Sequence, residues 1–65
     1  MAGVFKLIEL VGASDTSFAD AARNAVAEAA KTLGKPLWFE VVRESGKIDG
    51  DLIEFQVTLK VGYKV

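Results

Sequence analysis

The sequence contains no cysteine and no histidine, which removes disulfide staples and Cys/His zinc clusters together. It also leaves no imidazole to activate a hydroxyl, and no serine stands beside another plausible base, so no activated nucleophile is legible. Neither sign of charge dominates: eight basic residues against nine acidic give a formal net charge of −1. A basic stripe able to neutralise phosphates is therefore missing, which speaks against nucleic acid as a partner. No apolar run approaches the roughly 18 residues of a membrane span. Residues 1–12 show no basic segment leading into a long apolar one, so no secretory leader is expected and the expected location is the cytoplasm. Proline occurs once, as Pro36.

What the chain does have is apolar surface: 51% of its 65 residues are hydrophobic. A chain this short buries only about 60% of the surface its unfolded form exposes, and small domains close that gap with disulfides, a metal or self-association. With the first two routes closed, composition points to an oligomer built from a single domain spanning residues 1–65.

Four elements follow from periodicity. Residues 4–11 (VFKLIELV) read as a strand with apolar residues of both parities: Phe5, Leu7 and Val11 on one side, Val4, Ile8 and Leu10 on the other. A strand covered on both faces needs a second covering surface beyond a single helix, and a second chain would supply it. Gly12-Ala13-Ser14-Asp15 reads as a turn. Ser17 with Asp20 resembles a capping box, the aspartate also suiting the positive end of the helix dipole. Phe18, Ala22, Ala25, Val26, Ala29 and Leu33 form an apolar stripe at helical spacing, and Leu33-Gly34 before Pro36 stops the helix.

Leu37 to Lys47 and Leu52 to Lys64 read as two further strands joined through Asp49-Gly50, the chemistry of a tight hairpin. In the last strand Ile53, Phe55, Val57, Leu59, Val61 and Tyr63 share one face, with Glu54, Gln56, Thr58, Lys60 and Lys64 on the other. The same parity puts Phe39 and Val41 on the helix side, with Trp38, Glu40, Val42 and Glu44 on the far side. The fold class is α+β, in the order β-α-β-β, with the last strand central in a three-stranded antiparallel sheet wrapped around one helix.

The single tryptophan, Trp38, thus sits where the pattern wants a solvated residue, which marks an interface or a ligand surface. Gln56, an amide that donates and accepts, occupies the same side of the neighbouring strand. Together they suit a flat heteroaromatic ring with carbonyls and ring nitrogens, although tryptophan is equally at home in a subunit interface. A ring clamped between two indoles needs two chains, most simply across a two-fold axis. Other motifs carry less. Gly12-Ala13-Ser14 has one glycine where a dinucleotide fingerprint has three, and Asp49-Gly50-Asp51 lacks the ligand spacing of a calcium loop. Glu40 and Glu44, about 13 Å apart along a strand, are too distant for a glycosidase pair.

Three stretches, VFKLIELVGAS at 4–14, LWFEVV at 37–42 and QVTLKVGYK at 56–64, together resemble the dodecins over nearly the whole chain. The resemblance implies a small flavin-binding protein assembled as a hollow homododecamer of tetrahedral symmetry. Flavins would stack in pairs at two-fold interfaces between symmetry-related tryptophans, as storage or buffering rather than catalysis, with the indole quenching the excited flavin. On this resemblance Trp38 is the stacking residue and Gln56 contacts the ring. It favours flavin mononucleotide over riboflavin, and some bacterial members also bind coenzyme A. A related calcium-dodecin group lacks the tryptophan, so Trp38 sets this chain apart from it. The chain departs from the family pattern at Ser45, where many members carry arginine before the glycine. It departs again at Gly62-Tyr63-Lys64, where Gly-Phe-Arg is common. Lysine keeps the charge without the bidentate fork. Ser45, Lys64 and Lys6 are thus the candidate phosphate neighbours. The alternatives are an oligomer of the same fold with a structural or interaction role and no resident flavin and, ranked lower, a flavin-dependent reductase.

Overall fold

The computed structural model describes residues 3–65. Its element order is β1 (Phe5–Ser14), α1 (Phe18–Thr32), β2 (Trp38–Asp49) and β3 (Leu52–Lys64). The strands form one antiparallel sheet in the order β1-β3-β2, so the clean alternation of β3 belongs to the central strand, as the sequence pattern requires.

Strand β1 runs on through Gly12-Ala13-Ser14, which were expected to form a turn. Gly12 is there for close packing. A Cβ on it would lie 2.0 Å from the Ala21 carbonyl oxygen and 2.9 Å from the Ala25 methyl, so the helix rests directly on the strand. The chain turns at Asp15-Thr16, where the Ser14 hydroxyl accepts from the Thr16 N–H at 2.9 Å and donates to Asp20 Oδ2 at 2.8 Å. Ser17 caps the helix as expected, its hydroxyl accepting from the Asp20 N–H at 3.0 Å. Asp20 departs from a capping box by spending its carboxylate on Ser14.

The buried stripe of α1 is Ala21, Ala25 and Ala29, one residue per turn, with Phe18 and Ala22 packed at its edge. Val26 is only half-buried and Leu33 is exposed, so the stripe is rotated from the expected one. The rotation follows from Gly12: methyl side chains let the helix approach the strand where larger ones would hold it off. The helix ends as read, with Leu33 as C-cap donating to the Ala29 carbonyl, Gly34 at φ +102° and Pro36 beyond. Tyr63 also donates from its buried hydroxyl to the Ala29 carbonyl at 3.1 Å, tying β3 to the last turn of the helix. Val57, Leu59 and Val61 complete the core.

The hairpin between β2 and β3 turns on Gly50 and Asp51, with Gly50 at φ +62°, as a two-residue turn requires. A 15-residue helix is about 22 Å long, whereas a 13-residue strand reaches about 43 Å, so the sheet outruns its helix. The helix packs over β1 and β3. Phe39 and Val41 on β2 keep the expected side of the sheet yet remain 49% and 46% exposed. At the hairpin end Ile48 and Leu52 are exposed as well. The total accessible surface of 4693 Å² exceeds the approximately 4,000 Å² typical of a compact monomer of this mass.

Candidate functional site

The far face of the sheet is laid out by its register. Reading from β1 through β3 to β2, Leu7, Gly62 and Trp38 form one row, and Glu9, Lys60 and Glu40 the next. Val11, Thr58 and Arg43 follow, and then Ala13, Gln56 and Ser45. Apolar Phe5, Leu7 and Val11 are exposed on this face, while Ile8 and Leu10 pack against the core, so β1 does carry apolar residues on both sides.

Trp38 has a built seat. The Leu37 N–H donates to the Gly62 carbonyl at 2.9 Å, fixing the start of β2 against the central strand. The indole lies over Gly62, where a Cβ would come within 2.5 Å of three of its ring carbons. Phe5 meets the indole edge-on, with ring centroids 5.3 Å apart and planes at 77°. Lys64 in turn places its Nζ 5.6 Å from the Phe5 ring centroid, a cation–π contact. Held from below and from one edge, the indole is still 42% exposed, a flat apolar platform facing outward.

Gln56 is half-buried at the other end of the face, its Nε2 donating to Glu54 Oε1 at 3.0 Å. Ser45 is its direct cross-strand partner and is also half-buried. Gln56 stands six residues along β3 from Gly62, about 20 Å. Within one chain Trp38 and Gln56 therefore share a face without sharing a site. Lys64 joins the Trp38 cluster, whereas Lys6 pairs with Tyr63 and belongs to the helix side of the sheet, away from the other candidates.

A register shift between Val41 and Arg43 changes the parity of β2. Up to that point Trp38 and Glu40 lie on the far face as expected. Beyond it Glu44 pairs with Val57 and moves to the helix side, while Arg43 and Ser45 pair with Thr58 and Gln56 on the far face. The bulge inserts one extra residue, and one residue is half the period of a strand. Sequence parity accordingly missed Arg43. The adjacent valines at 41 and 42, breaking the alternation, were its only visible sign. It also missed Gly62 and Phe5, whose roles depend on the registers of β1 and β2 against β3.

Two other concave regions lie elsewhere on the molecule. A groove between α1 and β2 is lined by Ala19, Ala22, Val26 and Phe39. Near the hairpin, Asp15, Asp49, Asp51 and Glu54 surround a second hollow together with Lys47. Among the described residues no group of three or more acidic side chains is placed to hold a metal ion. Among the described residues no helix is long and apolar enough to cross a membrane.

Comparison with known proteins agrees with this architecture. The family model described as Dodecin matches residues 4–65. A curated dodecin from Thermus thermophilus is 41% identical over 66 residues, covering all of this chain and 96% of the relative. The crystal structure of a Thermus thermophilus protein superposes with a TM-score of 0.89 at 40% identity, covering 98% of this chain and 96% of the other. A dodecin from Streptomyces coelicolor gives 0.87 at 41% identity, with 95% and 90% covered. Bulge, seated tryptophan and helix-on-glycine packing occur within a fold and sequence matched end to end, and the chain belongs to the dodecin family.

Proposed function

We propose that this chain is the subunit of a homododecameric flavin-binding protein that stores or buffers flavin by stacking it on Trp38. The observation that carries this reading is the seated indole: pinned over Gly62, edged by Phe5 and open on its outer face. A planar isoalloxazine fits such a platform, and aromatic stacking contributes on the order of 0.5–1.5 kcal/mol per contact beyond burial. Flavin, when bound, supplies a redox-active ring, and the role of the protein is to bind and shield that ring.

Each chain has one tryptophan, so a flavin pair enclosed between two indoles draws them from two subunits. The 20 Å separation along β3 adds a second condition: a ring touching both Trp38 and Gln56 takes them from different subunits. Uncovered apolar side chains on β2 and β1 supply surface for that association. Gln56 orients the ring through its amide, and the flavin favoured is the mononucleotide, with coenzyme A as a further ligand and the cytoplasm as location. The sequence has no histidine or cysteine to build an activated nucleophile beside the platform, and the role proposed is binding rather than catalysis.

Trp38→Ala should weaken flavin binding at least tenfold and restore the fluorescence of added flavin, read by titration of the purified protein. A variant that bound and quenched like the parent would remove Trp38 from the site. The rival reading, an oligomer of the same fold without flavin, draws on Ser45 and its lack of positive charge. It predicts colourless protein that leaves added flavin fluorescent, and mass spectrometry of released ligand separates flavin from coenzyme A.

A further inference from the structure

Four cationic side chains hold positions on the far face: Lys64, Lys60, Arg43 and Lys47. Three of them have a counterpart beside them, two in the register and one in an aromatic ring. Lys60 stands between Glu9 and Glu40 in its row, and Lys47 pairs across the strand with Glu54. Lys64 lies over the Phe5 ring beside the indole. Arg43 differs, because its row is completed by the neutral side chains Thr58 and Val11. The next row toward the hairpin, Ser45, Gln56 and Ala13, is neutral too.

Arg43 and Ser45 are two residues apart on one strand, about 7 Å, and the bulge places both on the far face. An exposed guanidinium therefore stands beside two hydroxyls, Thr58 and Ser45, and next to the Gln56 amide. Guanidinium presents a planar fork of donors matched to phosphate oxygens, and hydroxyls add further donors. The directly opposing residues carry no carboxylate; the nearest on this face, Glu40 and Glu9, flank Lys60 in the adjacent row.

We infer that Arg43, with the Thr58 and Ser45 hydroxyls, holds the anionic tail of the bound ligand and makes the protein select a phosphate monoester over the corresponding uncharged alcohol. This rests on the flavin reading and extends it from the ring to the tail. Without the bulge Arg43 would face the helix side and the cluster would not exist. Lys6 is excluded from the role by its face.

The test titrates flavin mononucleotide and riboflavin, by fluorescence quenching, into the assembled parent protein, Arg43→Ala, Arg43→Lys and Lys60→Ala. Arg43→Ala should lose roughly tenfold in affinity for the mononucleotide while its riboflavin affinity stays within about twofold, the loss expected for one charge-assisted contact at an exposed site. Arg43→Lys should recover part of that loss, Lys60→Ala should keep the parent's preference, and added salt should shrink the preference of the parent. Equal affinity of Arg43→Ala and parent for the mononucleotide would overturn the inference while leaving flavin binding in place. An equal loss for both flavins would overturn it too, assigning Arg43 to the strand. A parent that quenches neither flavin would defeat the flavin reading itself, and this inference with it.

Discussion

Gly12 and Gly62 sit on opposite faces of the same sheet, and each is a seat for something bulky. Above Gly12 lies the backbone of α1, and above Gly62 the indole of Trp38. The obstacle differs in kind. At Gly12 the nearest atom to an added Cβ is a helix carbonyl, fixed by the packing of Ala21, Ala25 and Ala29. At Gly62 it is the ring of a half-exposed side chain rather than backbone. One device, a missing Cβ, thus serves the fold on one face and the candidate site on the other.

Substitutions can break this comparison in graded steps. The largest effect is expected from Gly12→Val, which drives a branched side chain into the helix backbone. A loss of about 3 kcal/mol or more should appear in urea unfolding, and a near-native midpoint would mean the helix does not rest where described. Gly62→Ala should cost less, on the order of 1–2 kcal/mol, because the obstacle is a side chain rather than backbone. Its signature should lie in flavin affinity, falling by more than the change in stability accounts for. If stability fell as far as in Gly12→Val and binding held, the two seats would be the same in kind. The smallest change is expected from Tyr63→Phe, about 1 kcal/mol, since the Ala29 carbonyl keeps its bond from Leu33 and only the buried hydroxyl bond is lost. Thermal melts should detect it, and flavin titrations of this variant should match the parent.

How much of this was legible beforehand depended on whether a feature is local. Alternation along β3, the Ser17 cap and the Gly34–Pro36 stop are written in consecutive residues, and each sits where it was read. Trp38 was legible as an aromatic of the wrong parity before the bulge. Gly12 was misread because glycine in a sequence signals a turn as readily as a close approach, and only the helix above it decides. The bulge at Val41–Arg43 is a relation between two strands. A one-residue offset reversed the expected face of Glu44 and brought Arg43 into view. Trp38 and Gln56 were rightly placed on one face, yet their separation depends on register, which no single strand contains.

Strand β2 stands at the edge of the sheet with Phe39 and Val41 uncovered by the helix, in a chain whose accessible surface is larger than its mass warrants. If neighbouring subunits supply the missing cover, folding and association become one equilibrium governed by mass action. The melting temperature would then be a function of protein concentration, rising as the solution is concentrated and falling on dilution.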